Sequence, residues 1–278
     1  MNAASAFFPA ESGKENSARV CVLIPVWRDQ EGLAHSLDVL AEDPYPFDIV
    51  VVDDGSPTPI ICPELCGIHP VTLLRLARNQ GIEHALNHGL GLILERGYDY
   101  VARLDCADTP MLGRIARQVE YMDQNPALGI LGTWARCIDD DGAYLFTLRY
   151  PYRHKEMLRR QRYAPALLHP TVMLRVAALR EIGLYSDAYK TAEDYDLFIR
   201  MGQRFEMANL PEALTEYVVS AGGTTAAKRR QNLVARARIQ MRYFGFADPH
   251  AYLGLARTFA FMLIPFDWLV AIKQRVWK

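Results

Sequence analysis

The chain predicts an α/β fold in which a mainly parallel sheet carries helices on both faces. Three observations lead to this expectation. Short, almost wholly apolar runs alternate with longer segments of helical period, the pattern of strands buried on both sides by crossover helices. These runs end in polar clusters, VVVDDGS at 50–56 and YVARLDCAD at 100–108, rather than in tight hairpin turns. Finally, 278 residues, half of them hydrophobic and 23% charged, suffice for one large α/β domain plus an appendage.

The elements follow in order. Residues 1–18 are polar and short, with no basic start and long apolar core, so a disordered leader rather than a signal peptide is expected. Residues 19–26 (RVCVLIPV) form a buried-type strand that Pro25 and a polar stretch stop. Leu33, Leu37 and Leu40 give residues 29–40 a helical spacing. Residues 47–52 make the second strand and 53–57 a turn; residues 71–76 make the third strand. Asn79-Gln80-Gly81 opens a helix to about Arg96, and a fourth strand covers 98–104. In the second half a helix is expected over 110–125, a strand over 129–134 and a polar turn over 139–142. A strand-like stretch at 143–150 and another at 214–219 complete this catalytic-sized unit, bounded at 19–222.

Residues 223–278 read as a separate basic, amphipathic extension. From Lys228 onward ten Lys/Arg face only Asp248 and Asp267, a local excess of about +8 in a chain whose net charge is -1. That overall balance argues against bulk nucleic-acid binding. A basic helix over 228–246 would place Leu233, Ala237, Met241 and Phe244 on one side. The apolar run 259–264 is too short to span a bilayer, which needs about 20 residues. Aromatic residues beside Lys273, Arg275 and Lys278 suit a helix lying in the membrane interface; packing on the body or a dimer contact is the plainer alternative. Five cysteines, an odd number, fit reduced thiols in a cytosolic compartment, and Cys62 and Cys66 lack a second pair to complete a metal site.

Ligands of open parallel sheets bind outside the carboxyl ends of the strands. Pro25, Asp53, Asp54, Asp105 and Asp108 all fall at such ends. A further cluster, Glu193, Asp194 and Asp196, opens an apolar helical run, where acids also simply favour the positive end of the helix dipole.

Read together, IPV at 24–26, VVVDDGS, NQGIEHALNHG at 79–89, the DxD-like segment at 105–108, HPTVMLR at 169–175 and AEDYDLFIRM at 192–201 resemble family 2 glycosyltransferases with the GT-A, Rossmann-like fold. The resemblance covers roughly 19–220. It implies an inverting enzyme that moves a sugar from a nucleotide-diphosphate sugar, with UDP as the default nucleotide, to an acceptor hydroxyl. Asp194 matches the family's catalytic base, with Glu193 as its neighbour, whereas Asp196 is expected to serve structure. Asp53 and Asp54 match nucleotide-base contacts, with Pro25 and Val26 lining the ring or ribose. Asn79, Gly81, Ala85 and Asn87 match a helix near the donor, whose N-terminal amides can face phosphate; Arg78 is a further candidate contact. His169 matches a loop on the acceptor side.

The metal position departs from the family pattern. Asp105 and Asp108 are kept as candidate ligands for Mg²⁺ or Mn²⁺, but Ala107 stands where the family places its metal-binding Asp. Residues 220–224 (SAGGT) likewise lack the His that many relatives carry. Three accounts follow: a shifted metal site, a diphosphate neutralised by Arg/Lys and helix amides, or a degenerate protein that binds without turnover. The implied setting is bacterial surface polysaccharide or glycolipid assembly on a glycan or lipid-linked acceptor. That setting is cytoplasmic, with peripheral contact at the inner membrane face through residues 228–278. A sugar nucleotidyltransferase is the other enzyme class considered. It needs a glycine-rich basic phosphate loop after the first strand, and residues 25–29 (PVWRD) are not one.

Overall fold

The computed structural model describes residues 18–106, 108–219 and 229–264. Residues 1–17 of the expected leader, Ala107, the stretch 220–224 and the last aromatic and basic residues of the tail lie outside the described residues, whereas Ala18, counted with the leader, is buried in the core. The described strands are β1 (Val20–Val26), β2 (Asp48–Asp53), β3 (Leu65–Cys66), β4 (His69–Arg75), β5 (Tyr100–Arg103), β6 (Thr109–Pro110), β7 (Leu128–Ile138), β8 (Tyr144–Leu148), β9 (Met173–Arg175) and β10 (Glu206–Val218). The helices are α1 (Gln30–Leu40), α2 (Ile82–Arg96), α3 (Arg114–Gln124), α4 (His154–Gln161), α5 (Val176–Ile182), α6 (Glu193–Arg204), α7 (Arg229–Arg242) and α8 (Pro249–Leu263).

One sheet runs in the order β3-β4-β2-β1-β5-β9-β7-β10-β6, with β8 paired to β7. β4, β2, β1 and β5 are parallel, and β9 enters antiparallel between β5 and β7. The central strands are apolar throughout because both faces are covered. Cys21, Leu23, Val50, Val52 and Val101 point toward α2, α5 and α6. The alternate residues Val20, Val22, Ile24, Ile49, Val51 and Tyr100 point toward α1 and α3. Each such Val, Leu or Ile contributes about 1.5–3 kcal/mol on full burial. Helix α2 sits unusually close to the sheet: a Cβ on Gly89 would stand 2.4 Å from Leu23 Cδ1 and 2.9 Å from Val52 Cγ2.

Several boundaries differ from the sequence expectation. The helix foreseen from residue 110 begins only at Arg114, after Gly113 in the left-handed region at φ 80°. Thr109 and Pro110 instead form a short strand against Thr215 and Glu216. The last strand starts at Glu206 rather than 214, and a register irregularity between Leu210 and Ala213 absorbs Pro211. α4, β9 and α5 were not foreseen. On α7 the buried side carries Leu233, Ala235, Ala237 and Ile239. Met241, expected with them, is 54% exposed. No helix among the described residues is long and apolar enough to cross a membrane. All five cysteines are free thiols.

Candidate active site at the carboxyl edge of the sheet

Two carboxylates close the end of β2, and the structure gives them different jobs. Asp53 is fully buried and accepts from the Ser56 amide at 2.8 Å and the Ile60 amide at 3.4 Å, with Arg75 Nε 3.5 Å away. It is committed to the turn. Asp54 reaches the entry of α2, accepting from Asn79 Nδ2 at 2.8 Å, the Gln80 amide at 2.8 Å and the Gly81 amide at 3.0 Å. Its own amide donates to the Val26 carbonyl at 2.9 Å. Val26, Asp54, Asn79 and Gly81 therefore form one hydrogen-bonded unit. Gly81 lies at φ 109°, a conformation that costs glycine nothing, and the buried Glu83 carboxylate fills the space a side chain would need.

Pro25 is half-buried and Val26 buried, and directly beyond them Trp27 is 46% exposed with the Arg28 guanidinium 4.5 Å above its ring. Arg28 sits at φ 58° and its amide donates to Ser56 Oγ at 2.9 Å. Sequence reasoning passed over this pair; an aromatic residue placed immediately after a buried strand was the available signal. Arg78 is exposed beside the unit. Asn87 and Ala85 belong to the frame instead. Ala85 is core, and Asn87 exchanges hydrogen bonds of 2.8 and 2.9 Å with the Tyr185 backbone, fastening α2 to the loop before α6.

The end of β5 holds a charge cluster that the sequence reading did not foresee. Arg103 is almost wholly enclosed, donates to Asp105 and the Leu104 carbonyl, and leaves Nε without a partner. Beneath it the Arg114 Nη2 donates to the Arg103 carbonyl at 2.9 Å and its Nε to Gln118 at 3.0 Å. Burial holds Arg114 down to about 9 against the pull of Asp108. The Asp105 side chain is 37% exposed. Burial pushes its carboxyl up, but Arg103 and His169 outweigh that and leave it below the ordinary carboxylate range. Asp108 is enclosed. Its Oδ1 accepts from the Val218 amide at 3.3 Å, its Oδ2 has no partner, and burial followed by repulsion from Asp105 raises it to about 8. No group of three or more His, Cys, Asp or Glu converges to hold a metal among the described residues.

His169 is buried, with Nε2 2.8 Å from the Tyr185 hydroxyl and its ring edge-on to Phe198. Burial first, then Arg103, drives it down to about 3, so it is neutral at physiological pH and unsuited to carrying a proton. It lies beside Asp105 as a hydrogen-bonding residue.

The acidic cluster sits at the first turn of α6. Glu193 is buried with Oε2 unpartnered, and burial together with Asp194 and Glu83 lifts its carboxyl to about 8. Asp194 is half-buried and is raised chiefly by burial, with the Tyr195 amide and Arg236 pulling the other way and Asp105 adding to the rise. Asp196 turns inward, pairing with Arg200 at 2.7 Å and accepting from the Tyr243 hydroxyl at 2.9 Å, a structural role as expected. The chain enters α6 through Thr191 at φ 71°, whose carbonyl accepts from Asn232 of α7. Glu193, Asp105 and His169 thus all lie within the influence of Arg103, and Asp105 in turn acts on Asp194, whereas Asp53 is taken up by the turn after β2 and Asn87 by the Tyr185 backbone.

This arrangement has relatives. A family model described as glycosyl transferase family 2 matches residues 21–183. An uncharacterised glycosyltransferase of Haemophilus influenzae is 31% identical over 205 residues, 71% of this chain and 72% of that one. The amylovoran biosynthesis glycosyltransferase AmsE of Erwinia amylovora is 28% identical, covering 79% of this chain and 83% of that one. Among solved structures, Staphylococcus aureus TarS 1–349 in complex with UDP-GlcNAc superposes with a TM-score of 0.62 at 18% identity, over 87% of this chain and 71% of that one. The mannosyltransferase PcManGT from Pyrobaculum calidifontis, in complex with GDP-Man and Mn²⁺, gives 0.59 at 17% identity, over 93% and 74%. The fold is therefore GT-A. With the model matching more than half of its length, the chain belongs to glycosyl transferase family 2.

Proposed function

We propose that the chain is an inverting glycosyltransferase of bacterial surface polysaccharide or glycolipid assembly, transferring a hexose from a nucleotide-diphosphate sugar to an acceptor hydroxyl. One observation carries the reading: Asp194, half-buried at the first turn of α6, stands beside a Glu193 whose raised carboxyl keeps its proton at neutral pH. Glu193 then adds no charge beside Asp194, which serves as the base. Asp194 takes the proton of the acceptor hydroxyl, that oxygen attacks the anomeric carbon, and the bond to the diphosphate breaks with the electron pair leaving on phosphate. Trp27, Val26 and the Asp54–Asn79–Gly81 unit frame the donor side, with UDP the default nucleotide. The relatives in amylovoran biosynthesis and in UDP-GlcNAc binding support this reading.

A divalent cation fits the donor chemistry. Mg²⁺ or Mn²⁺ is commonly held by one or two carboxylates with phosphate oxygens and water completing its shell. Asp105 is partly exposed and would hold it, and the enclosed Asp108, raised to about 8, would add its unpartnered Oδ2 on giving up its proton to the ion. Bound there, the ion supplies neutralising charge to the diphosphate.

Asp194→Asn tests the base. Transfer should fall about 10²–10⁴-fold, with calorimetric binding of UDP, GDP or dTDP, measured with Mn²⁺ and with EDTA, unchanged from the parent. Undiminished transfer would remove Asp194 from the mechanism, and binding without turnover in the parent would favour a degenerate protein. The acceptor is read as a glycan or lipid-linked glycan, with the enzyme at the cytoplasmic face of the membrane and touching it through α7 and α8. Exposed Leu253, Phe259 and Leu263 support that contact.

A further inference from the structure

A cleft of about 300 Å³ lies between the sheet-bearing body and the C-terminal helices. Leu158 and Gln161 of α4, Tyr195 and Ile199 of α6, Gln240 of α7 and Ala251 of α8 line it. The interface around it is not loose. A Cβ on Gly254 of α8 would stand 2.1 Å from the Arg162 carbonyl. Arg162 also ties the two units together, donating from Nη1 to the Tyr243 carbonyl at 2.9 Å and pairing through Nε with Asp248 at 3.1 Å. Close-packed interiors leave few voids larger than a water molecule. A gap of this size next to so close a contact is defined by the side chains that line it.

Those side chains carry hydrogen-bonding capacity that the fold does not use. Gln240 is buried, and its Oε1 accepts from Thr258 at 2.8 Å. Its Nε2, beside the Tyr195 hydroxyl, has no hydrogen-bond partner. Gln161 is buried too, and its Nε2 donates only to the Met207 sulfur at 3.5 Å, a weak acceptor. Buried amides are ordinarily satisfied. Among the described residues no carboxylate lines the cleft, and its one cation, Arg162, is already paired with Asp248. Amides that donate and accept therefore stand beside the apolar side chains of Leu158, Ile199 and Ala251.

We propose that this cleft binds a single neutral pyranose ring, which acts from there on the candidate base. Hydroxyls along the edge of such a ring pair with amides, its C–H faces pack on aliphatic side chains, and the volume lies at the small end of small-molecule sites. An ionised ligand would bring a charge that nothing there balances. The route to the base is short. Tyr195 follows Asp194, its amide donates to Asp194 Oδ1 at 2.7 Å, and its hydroxyl donates to the Gln161 carbonyl. A ring seated against Tyr195 and Gln161 bears on the first turn of α6. This effect on transfer, unlike the binding itself, rests on the glycosyltransferase reading above.

The test titrates the full chain, with UDP added to occupy the donor side, with the methyl glycosides of glucose, galactose and N-acetylglucosamine, followed by protein-detected NMR. At least one should bind. Gln240→Met, which removes the amide, and Ala251→Leu, which fills the space, should each weaken it about tenfold. Arg204→Gln, on an exposed pair with Glu181, should change nothing. At saturation the glycoside should shift the transfer rate of the parent about fivefold and leave that of both cleft variants as it was. A parent that binds none of the three overturns the proposal, as does an affinity unaltered in both cleft variants, which would place the sugar elsewhere. If one variant fails to fold, the other decides. Binding that the variants abolish without any effect on transfer overturns the action on Asp194. Because binding is read without turnover, a chain that binds the glycoside but transfers no sugar counts against the glycosyltransferase reading alone.

Discussion

Glu193 and Asp194 show how neighbours of the same type take different roles from their surroundings. Burial raises the Glu193 carboxyl from an ordinary 4.5 to about 8, while Asp194 keeps solvent on one side. A group that holds its proton more tightly when folded stabilises the native state fully below its ordinary value, and that contribution is lost as pH rises through the folded value. Between pH 5 and 9 the parent should therefore lose about 4 kcal/mol from this residue. Glu193→Gln should flatten the decline in Tm over that range, measured by calorimetry; an unchanged alkaline slope would show that Glu193 is ionised throughout. At this scale the sequence was only partly legible. The Glu-Asp pair, Asp54 and Asp105 stand out because acids at strand and helix ends have few reasons to be there. Arg103, Arg114 and Glu83 do not, since a charged residue within a strand or helix reads as solvent-facing until its partners are seen.

Among the elements, α6 and α7 are the most tightly coupled at the site. Thr191, a β-branched residue, is held at φ 71°, where side chains of that shape are strained by about 1–3 kcal/mol. The Asn232 side chain of α7 fixes its carbonyl, and Tyr189, Ala192, Tyr195 and Ile199 share a small core with Ala235 and Ile239. Helix α7 thereby sets the start of α6 and the direction of Asp194. Asn232→Ala should lower kcat about tenfold, as expected for a modest misplacement of the base, with KM for the donor nearly unchanged and Tm lower by a few degrees. A change in KM alone would mean that the hydrogen bond serves the donor side instead. Strands β1, β2 and β5 could be read in advance because double-sided burial writes continuous apolar runs, while β4 and helix α2 showed through their apolar residues between turn signals. β9 could not: Met173-Leu174-Arg175 is three residues long and leads directly into α5. α4 was hidden for the opposite reason, since only Met157 and Gln161 of its eight residues are buried.

Across the described residues the C-terminal helices are basic and carry exposed apolar side chains, while the parallel half holds the Asp54–Asn79–Gly81 unit proposed to frame the donor. Leu253, Phe259 and Leu263 on α8 leave an apolar face exposed beside a basic stretch. The full chain should sediment with phosphatidylglycerol vesicles at low salt. Phe259→Ser combined with Leu263→Ser should reduce that fraction several-fold, as loss of buried apolar area requires. A parent that stays in the supernatant would leave α8 as a packing or dimer surface. The sheet order has one more consequence, for how the chain is made. β1, β2, β4 and β5 all lie before residue 104 and can pair while synthesis continues. The far side of β5 then offers an open row of backbone donors and acceptors, the kind of edge on which nascent chains aggregate. Relief comes only when β9 emerges, much later in the sequence, and lays itself antiparallel along that edge. The short strand that sequence patterning overlooks is thus the one that closes a half-built sheet, and the slow, non-local step of folding should be its arrival.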